Sequence, residues 1–446
     1  MLNSINKIYL LSSILLYFVL SLKSSEEHLL ITFFSILSFI SYFIVLYVNS
    51  SMHVKFYTKK YLIIEVFIYV LIFVTIQNLI SYFYTDNFFM FSTEDAIGYH
   101  YRTIEILPMS LEDGISHYLS YMDFDDLGMI LVLYPLYYIS ESNLILNCFY
   151  LFVGVITALS IFRISQNFMS RKYAFLSSLS YSLSSFVLFF HATGLKESFM
   201  VMLVTLSFDF YYRFLMNKNI INLISTLVFI GILFLFRPAI SIMIIGAIGL
   251  SSVFSKKGGL GIKIVSFFIF IFLVTISSSL IDLMDKYTTG GFDTLMYTRE
   301  TQGMIIGGIP FTYAVNILSQ AIGPIPNLIS SEKILTMFYA SGLIYRVLLA
   351  FPFWFGIIYI YKTRSYKLYP LAIFIIVEMI ALTFLMDGLE LRKALPHIAF
   401  VFIVAFWFLD KYDMKIIKIK GKKRFKQLFK FSIFLSILII FYWNFR

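Results

Sequence analysis

Apolar runs of roughly 20 residues, one after another along nearly the whole chain, constrain this sequence more than any other feature. A run of that length, wound as a helix, crosses the hydrocarbon core of a bilayer. Thirteen candidates stand out: residues 8–22, 29–48, 62–82, 144–162, 174–190, 198–214, 220–236, 239–254, 264–283, 342–361, 368–386, 395–409 and 431–443. With 60% hydrophobic and 13% charged residues among 446, there is too little polar surface to cover a soluble core of this size. The runs are continuous rather than alternating, which excludes an outer-membrane barrel. The fold class expected is therefore an all-α polytopic membrane protein, a single integral membrane domain over 1–446. Residues 1–22 are read as the first membrane helix, because no small-residue cleavage site follows them.

A fourteenth apolar run, 127–139, is shorter and contains Pro135. At about 1.5 Å per residue it covers roughly 20 Å of a core about 30 Å thick. It reads as a re-entrant or interfacial half-helix, with a tilted ordinary span as the alternative. Leaving it out of the count makes every even-numbered loop basic. Lys55, Lys59 and Lys60 follow the second run; Arg163, Arg171 and Lys172 follow the fourth; the segment 411–430 follows the twelfth. Basic loops mark the cytoplasmic side, so the N-terminus is expected inside and the odd loops outside. The net charge of +10 is accounted for in this way and does not point to nucleic acid. The 411–430 segment is expected to rest on anionic cytoplasmic lipid. Cys148 is the single cysteine, so there is no disulfide framework.

The odd loops hold the polar chemistry. Two are long, 85–143 and 285–341. The first is acidic, with nine Asp and Glu between Thr85 and Asp126 against one basic residue, Arg102. Within it Asp95 and His100 lie five apart with aromatics between them. A carboxylate and an imidazole are the usual acceptors of a hydroxyl proton; the plainer reading is a solvated acidic loop. Residues 123–126 hold three carboxylates in a row that a hard cation would suit, but without a calcium-loop pattern, and no metal or other cofactor is expected.

Three tight turns carry cations. Lys196 precedes a helix expected to open at Ser198, and a cation beside a helix N-terminus attracts anions; pairing with Glu197 is the alternative. Arg237 joins two apolar runs at the edge of the membrane, where a charge usually faces a cavity or a partner. Its guanidinium suits phosphate oxygens. Arg392 and Lys393 face outward against the orientation bias, just before Pro396 and His397; pairing with Asp387 and Glu390 is the plain option. Arg299 is the cation in the polar part of the second long loop. Lys196, Arg237, Arg299, Arg392 and His397 form the candidate anion-binding set, and Asp95 and His100 the candidate bases.

This layout, carried by Asp95, Tyr99-His100, Gly194-Leu195-Lys196-Glu197, Phe236-Arg237-Pro238 and Arg392 before Pro396, resembles the Wzy-type O-antigen and capsule repeat-unit polymerases, within the GT-C-like membrane glycosyltransferases. The resemblance covers most of the chain through short motifs. It implies a bacterial inner-membrane enzyme that joins undecaprenyl-diphosphate-linked oligosaccharides on the extracytoplasmic face. It also implies that outer-loop arginines do the work without a metal, and it admits a chain-length regulator protein as a partner. Two readings remain beside it: a GT-C enzyme using a polyprenyl-phosphate sugar, and a lipid-linked oligosaccharide flippase.

Overall fold

A computed structural model describes residues 1–23, 29–88, 94–122, 124–254, 297, 300–301, 308–323, 335–385, 390–416 and 422–445. Among them every regular element is a helix. Seven helices are long and apolar enough to cross a membrane, and a bent pair makes an eighth. The chain is thus an all-helical, multi-pass membrane protein. The expected run 264–283 and most of the second long loop, with Arg299, lie outside the described residues.

The helices begin where local chemistry lets them. α1 (Leu2–Lys23) and α2 (Leu29–Ser51) are followed by α3 (Lys59–Thr85). The Thr58 side chain accepts from the Tyr61 amide at the start of α3, satisfying one of the orphan donors that every helix N-terminus leaves. Next come α4 (Glu94–Ile106), α5 (Leu111–Leu119) and α6 (Leu127–Tyr137). All three are too short to span, and α6 is 11 residues long. The bundle resumes with α7 (Asn143–Gln166), α8 (Arg171–Ser182), α9 (Ser185–Ala192) and α10 (Glu197–Asn217). α11 (Ile220–Phe234) and α12 (Pro238–Phe254) form a hairpin. After the undescribed stretch come α13 (Ile309–Ile322), α14 (Leu335–Thr363), α15 (Tyr369–Phe384), α16 (Leu391–Asp413) and α17 (Lys422–Phe445).

Two apolar runs differ from their sequence reading. Residues 174–190 are not one straight span: α8 and α9 meet at a 48° bend. The bend sits in a serine-rich stretch, where Ser184 Oγ bonds back to the Ser180 carbonyl at 2.7 Å and Ser185 Oγ accepts from the Gly342 amide at 2.8 Å. Side chains that compete for backbone groups in this way bend helices. The runs expected at 220–236 and 239–254 become helices of 15 and 17 residues. At about 1.5 Å per residue these reach roughly 22 and 25 Å, short of a full straight crossing.

α16 is the axis of the bundle. It packs against α8, α10, α14 and α15, and 94% of its apolar window is buried. Its alternation with its neighbours sorts the connections to two ends. One end gathers the loops after α2, α7, α10, α14 and α16. There Asp209 is clasped by Arg163 at 2.8 Å and Arg213 at 2.7 Å, Lys172 donates to the Ser50 carbonyl at 2.5 Å, and Asp410 accepts from Ser170 at 2.6 Å. The other end gathers α4 to α6, the turn 193–196, the hairpin tip 235–237 and the start of α16.

Candidate functional site

At that second end, segments far apart in sequence meet through charged side chains. Gly194, at φ +74°, lets the chain turn between α9 and α10 in a conformation costly to other residues. Tyr150 on α7 fixes the turn by donating to the Leu195 carbonyl at 2.6 Å. The imidazole of His191 bonds Ser198 Oγ at 2.9 Å across it. Helix α10 opens at Glu197, one residue before the expected Ser198, with Lys196 as its cap residue.

Lys196 is buried, and its partner is not the neighbouring Glu197. Its Nζ pairs with Asp126 Oδ1 and donates to the Phe236 carbonyl at 3.1 Å. The same Asp126 oxygen accepts from Tyr99 on α4 at 2.8 Å. Burial, then the Asp126 charge, push the Tyr99 phenol well above its ordinary value, so it remains a donor. Asp126, read in the sequence as one of a carboxylate row, is therefore an ion-pair partner. Among the described residues no group of three or more His, Cys, Asp or Glu is placed to hold a metal.

Arg392 makes the second crossing. Its Nη1 pairs with Asp95 on α4, and its Nε lies 3.6 Å from Glu197 Oε1. Glu197 is buried at the first turn of α10, where a negative charge also meets the positive end of the helix. Lys393 pairs instead with Glu390 at 3.1 Å.

Short helix α6 seals the floor. The Gly128 amide donates to the Leu235 carbonyl at 2.8 Å, so the α6 N-terminus caps the tip of the α11–α12 hairpin. The approach is close enough that a Cβ on Gly128 would stand 2.5 Å from the Phe236 ring. At its other end, Tyr137 bonds His100 Nδ1 at 2.8 Å, tying α4 down. Burial lowers the His100 imidazole below its ordinary value, which keeps it uncharged near neutrality.

Arg237, at the hairpin tip beside Phe236, is half-buried. Among the described residues it makes no ion pair, but its charge acts on Glu378 of α15. Glu378 Oε2 in turn lies 3.6 Å from His397 Nδ1 on α16. Six of the seven sequence candidates, Asp95, His100, Lys196, Arg237, Arg392 and His397, are thus linked at one end of the bundle; Arg299 is not described.

The sequence reading missed four participants. Glu197 and Asp126 were seen as polar neighbours rather than as partners of Arg392 and Lys196. Tyr137 lies in an apolar run and carries no signal of its own. Arg346 on α14 is fully buried and was legible, as a lone cation inside the run 342–361. Chemically, the mouth offers three cations within reach of a neutral imidazole and a carboxylate, which suits an anionic ligand bearing a hydroxyl. No family model matches this chain, and no curated protein sequence matches it.

Proposed function

We propose that this protein is an extracytoplasmic membrane glycosyltransferase that polymerises polyprenyl-diphosphate-linked oligosaccharide repeat units. The observation that carries the reading is the gathering of Lys196, Arg237 and Arg392 with Asp95 and His100 at one end of a hydrophobic bundle. The opposite end holds the basic loops, so the orientation bias supports a cytoplasmic face there and an outward mouth. In the same reading the full chain has about thirteen spans in a GT-C-like arrangement, sits in a bacterial inner membrane, and meets a chain-length regulator.

The chemistry follows from the charges. Glycosyl transfer breaks the bond between the anomeric carbon and a phosphate oxygen, and the lipid diphosphate leaves with the electron pair. Cations aimed at that phosphate stabilise the departing charge. Lys196 and Arg392 are held by Asp126, Asp95 and Glu197, so a diphosphate competes with carboxylates for them, whereas Arg237 meets it without displacing an ion pair among the described residues. The acceptor hydroxyl gives its proton to His100, which is kept neutral by burial. Asp95 is less suited to that role while Arg392 holds it. The test is Arg237→Ala in cells. Single repeat units on the lipid carrier with no long chains are expected, with the variant still in the membrane. Normal chain-length ladders would sink the assignment.

A second reading, a flippase for the same lipid-linked oligosaccharides, gains from the charges buried inside the bundle at Arg346, Glu378 and His397, which suit a polar path. Repeat units trapped on the cytoplasmic side of a deletion strain would favour it over the polymerase.

A further inference from the structure

Beneath the mouth lie ionisable side chains that the proposed transfer does not use. Glu378 on α15 and His397 on α16 are each 2% exposed, and Arg346 on α14 is 1% exposed. Glu378 stands six residues before the end of α15 and His397 six residues into α16. At about 1.5 Å per residue both lie roughly 9 Å below the mouth. Helix α13 lines the same depth, with its register set by Tyr313 donating to the Phe384 carbonyl at 3.4 Å and Trp354 donating to the Ala321 carbonyl at 2.7 Å. Its amphipathicity is reversed for a water-soluble protein. Thr312, Asn316, Ser319 and Gln320 are buried, while Ile309, Phe311, Ile317 and Leu318 are exposed. That pattern suits a helix with lipid outside and a polar layer within.

The polar layer is incompletely satisfied. Both carboxylate oxygens of Glu378, Nδ1 of His397, Nε of Arg346 and Oδ1 of Asn316 are buried without a hydrogen-bond partner. Orphaned buried polar atoms are rare and call for an explanation, and ionisable residues at membrane depth commonly mark proton relays. The gap between Glu378 Oε2 and His397 Nδ1, 3.6 Å, is too long for a hydrogen bond. Roughly 0.8 Å of closure would bring the two atoms to the ordinary length of a charge-assisted one.

We propose that Glu378 and His397 form a proton-binding pair inside the bundle, which takes up the proton released at the mouth. The source of that proton rests on the transfer reading above. The pair's surroundings are well defined among the described residues. Arg237 acts on Glu378 from the hairpin tip, and Arg346 acts on His397 from α14. α12 brings no ionisable side chain, and α13 brings only Tyr313. Tyr181 comes from α8, Glu197 stands at the mouth end of α10, and Lys367 lies at the far end of α15. Two arginines and one carboxylate leave no counter-charge for an imidazolium, so the resting pair is a carboxylate facing a neutral imidazole with room for one proton. During transfer the acceptor O–H bond breaks and its oxygen bonds to the anomeric carbon. The lipid diphosphate departs with the electrons of the bond it loses, and the proton, taken first by His100, ends on the pair.

Infrared titration of the purified wild-type protein in detergent, compared with Glu378→Gln and His397→Asn, tests the pair directly. A protonated-carboxyl band should grow as pH falls, be missing from Glu378→Gln, and shift its midpoint in His397→Asn, because coupled groups titrate together. A band untouched by His397→Asn, or none assignable to Glu378, overturns the pair. In turnover assays with lipid-linked repeat units, Glu378→Gln should lower kcat roughly tenfold or more with KM held, and change the pH profile. An unchanged kcat and profile overturns its role as proton sink. Should the wild type form no polymer at all, the transfer reading fails, while the infrared titration still decides the pair.

Discussion

His100 shows how one residue acquires its chemistry from its surroundings. It is half-buried on α4 and bonded to Tyr137, and burial lowers its pKa below the ordinary 6.5. A lowered imidazole pKa means the neutral form survives as pH falls, and protonation comes only below the ordinary value. If His100 is the base, the acidic limb of the polymerisation rate therefore falls away below pH 6.5 rather than around it. His100→Gln should remove that limb and cost roughly a hundredfold in rate. A rate profile plotted against pH for both proteins decides this. The residue beside it, Tyr99, cannot substitute as base, since its phenol is driven the opposite way by burial and Asp126.

At the scale of elements, α6 carries more than its length suggests. It is 11 residues long, yet it touches the hairpin tip through Gly128, shares Asp126 at its start with Lys196 and Tyr99, and holds His100 at its end. Its seat depends on the absence of one carbon. Gly128→Ala places a methyl group 2.5 Å from the Phe236 ring, and overpacking of this kind costs about 1–3 kcal/mol. The variant should unfold at lower temperature in detergent and lose most polymerisation, although it leaves every cation and base in place. Wild-type thermal stability and wild-type ladders in Gly128→Ala would show that α6 does not position the mouth.

At the scale of the whole molecule, the two ends differ in kind. One is laced by basic residues around Asp209 and Asp410, and the other by the acidic loop closing over Lys196 and Arg392. The orientation proposed from that contrast can be read by labelling. In a Cys148→Ser background, which removes an exposed native thiol, cysteines replace Ser116 on α5 or Asn217 at the end of α10, both exposed. A membrane-impermeant maleimide should label Ser116→Cys in intact cells, and Asn217→Cys only after permeabilisation. The reverse pattern would invert the topology.

What the sequence determined by itself was the helical, membrane-spanning character, because length and apolarity along a run are local properties that hydrocarbon rewards directly. The shortness of α6 and the candidates Asp95, His100, Lys196, Arg237, Arg392 and His397 were also legible, since a polar residue at the edge of an apolar run is conspicuous. Their partners were not. Asp95 meets Arg392 across 297 positions and Lys196 meets Asp126 across 70, and nothing in the spacing of either segment specifies the other. The bend between α8 and α9 and the shortened hairpin α11–α12 depend likewise on contacts with α14 and α6. Only the packing of the bundle decided these, because a helix of given pitch presents its faces to whichever neighbours the fold supplies, and buried charges settle on the partners that packing brings within reach.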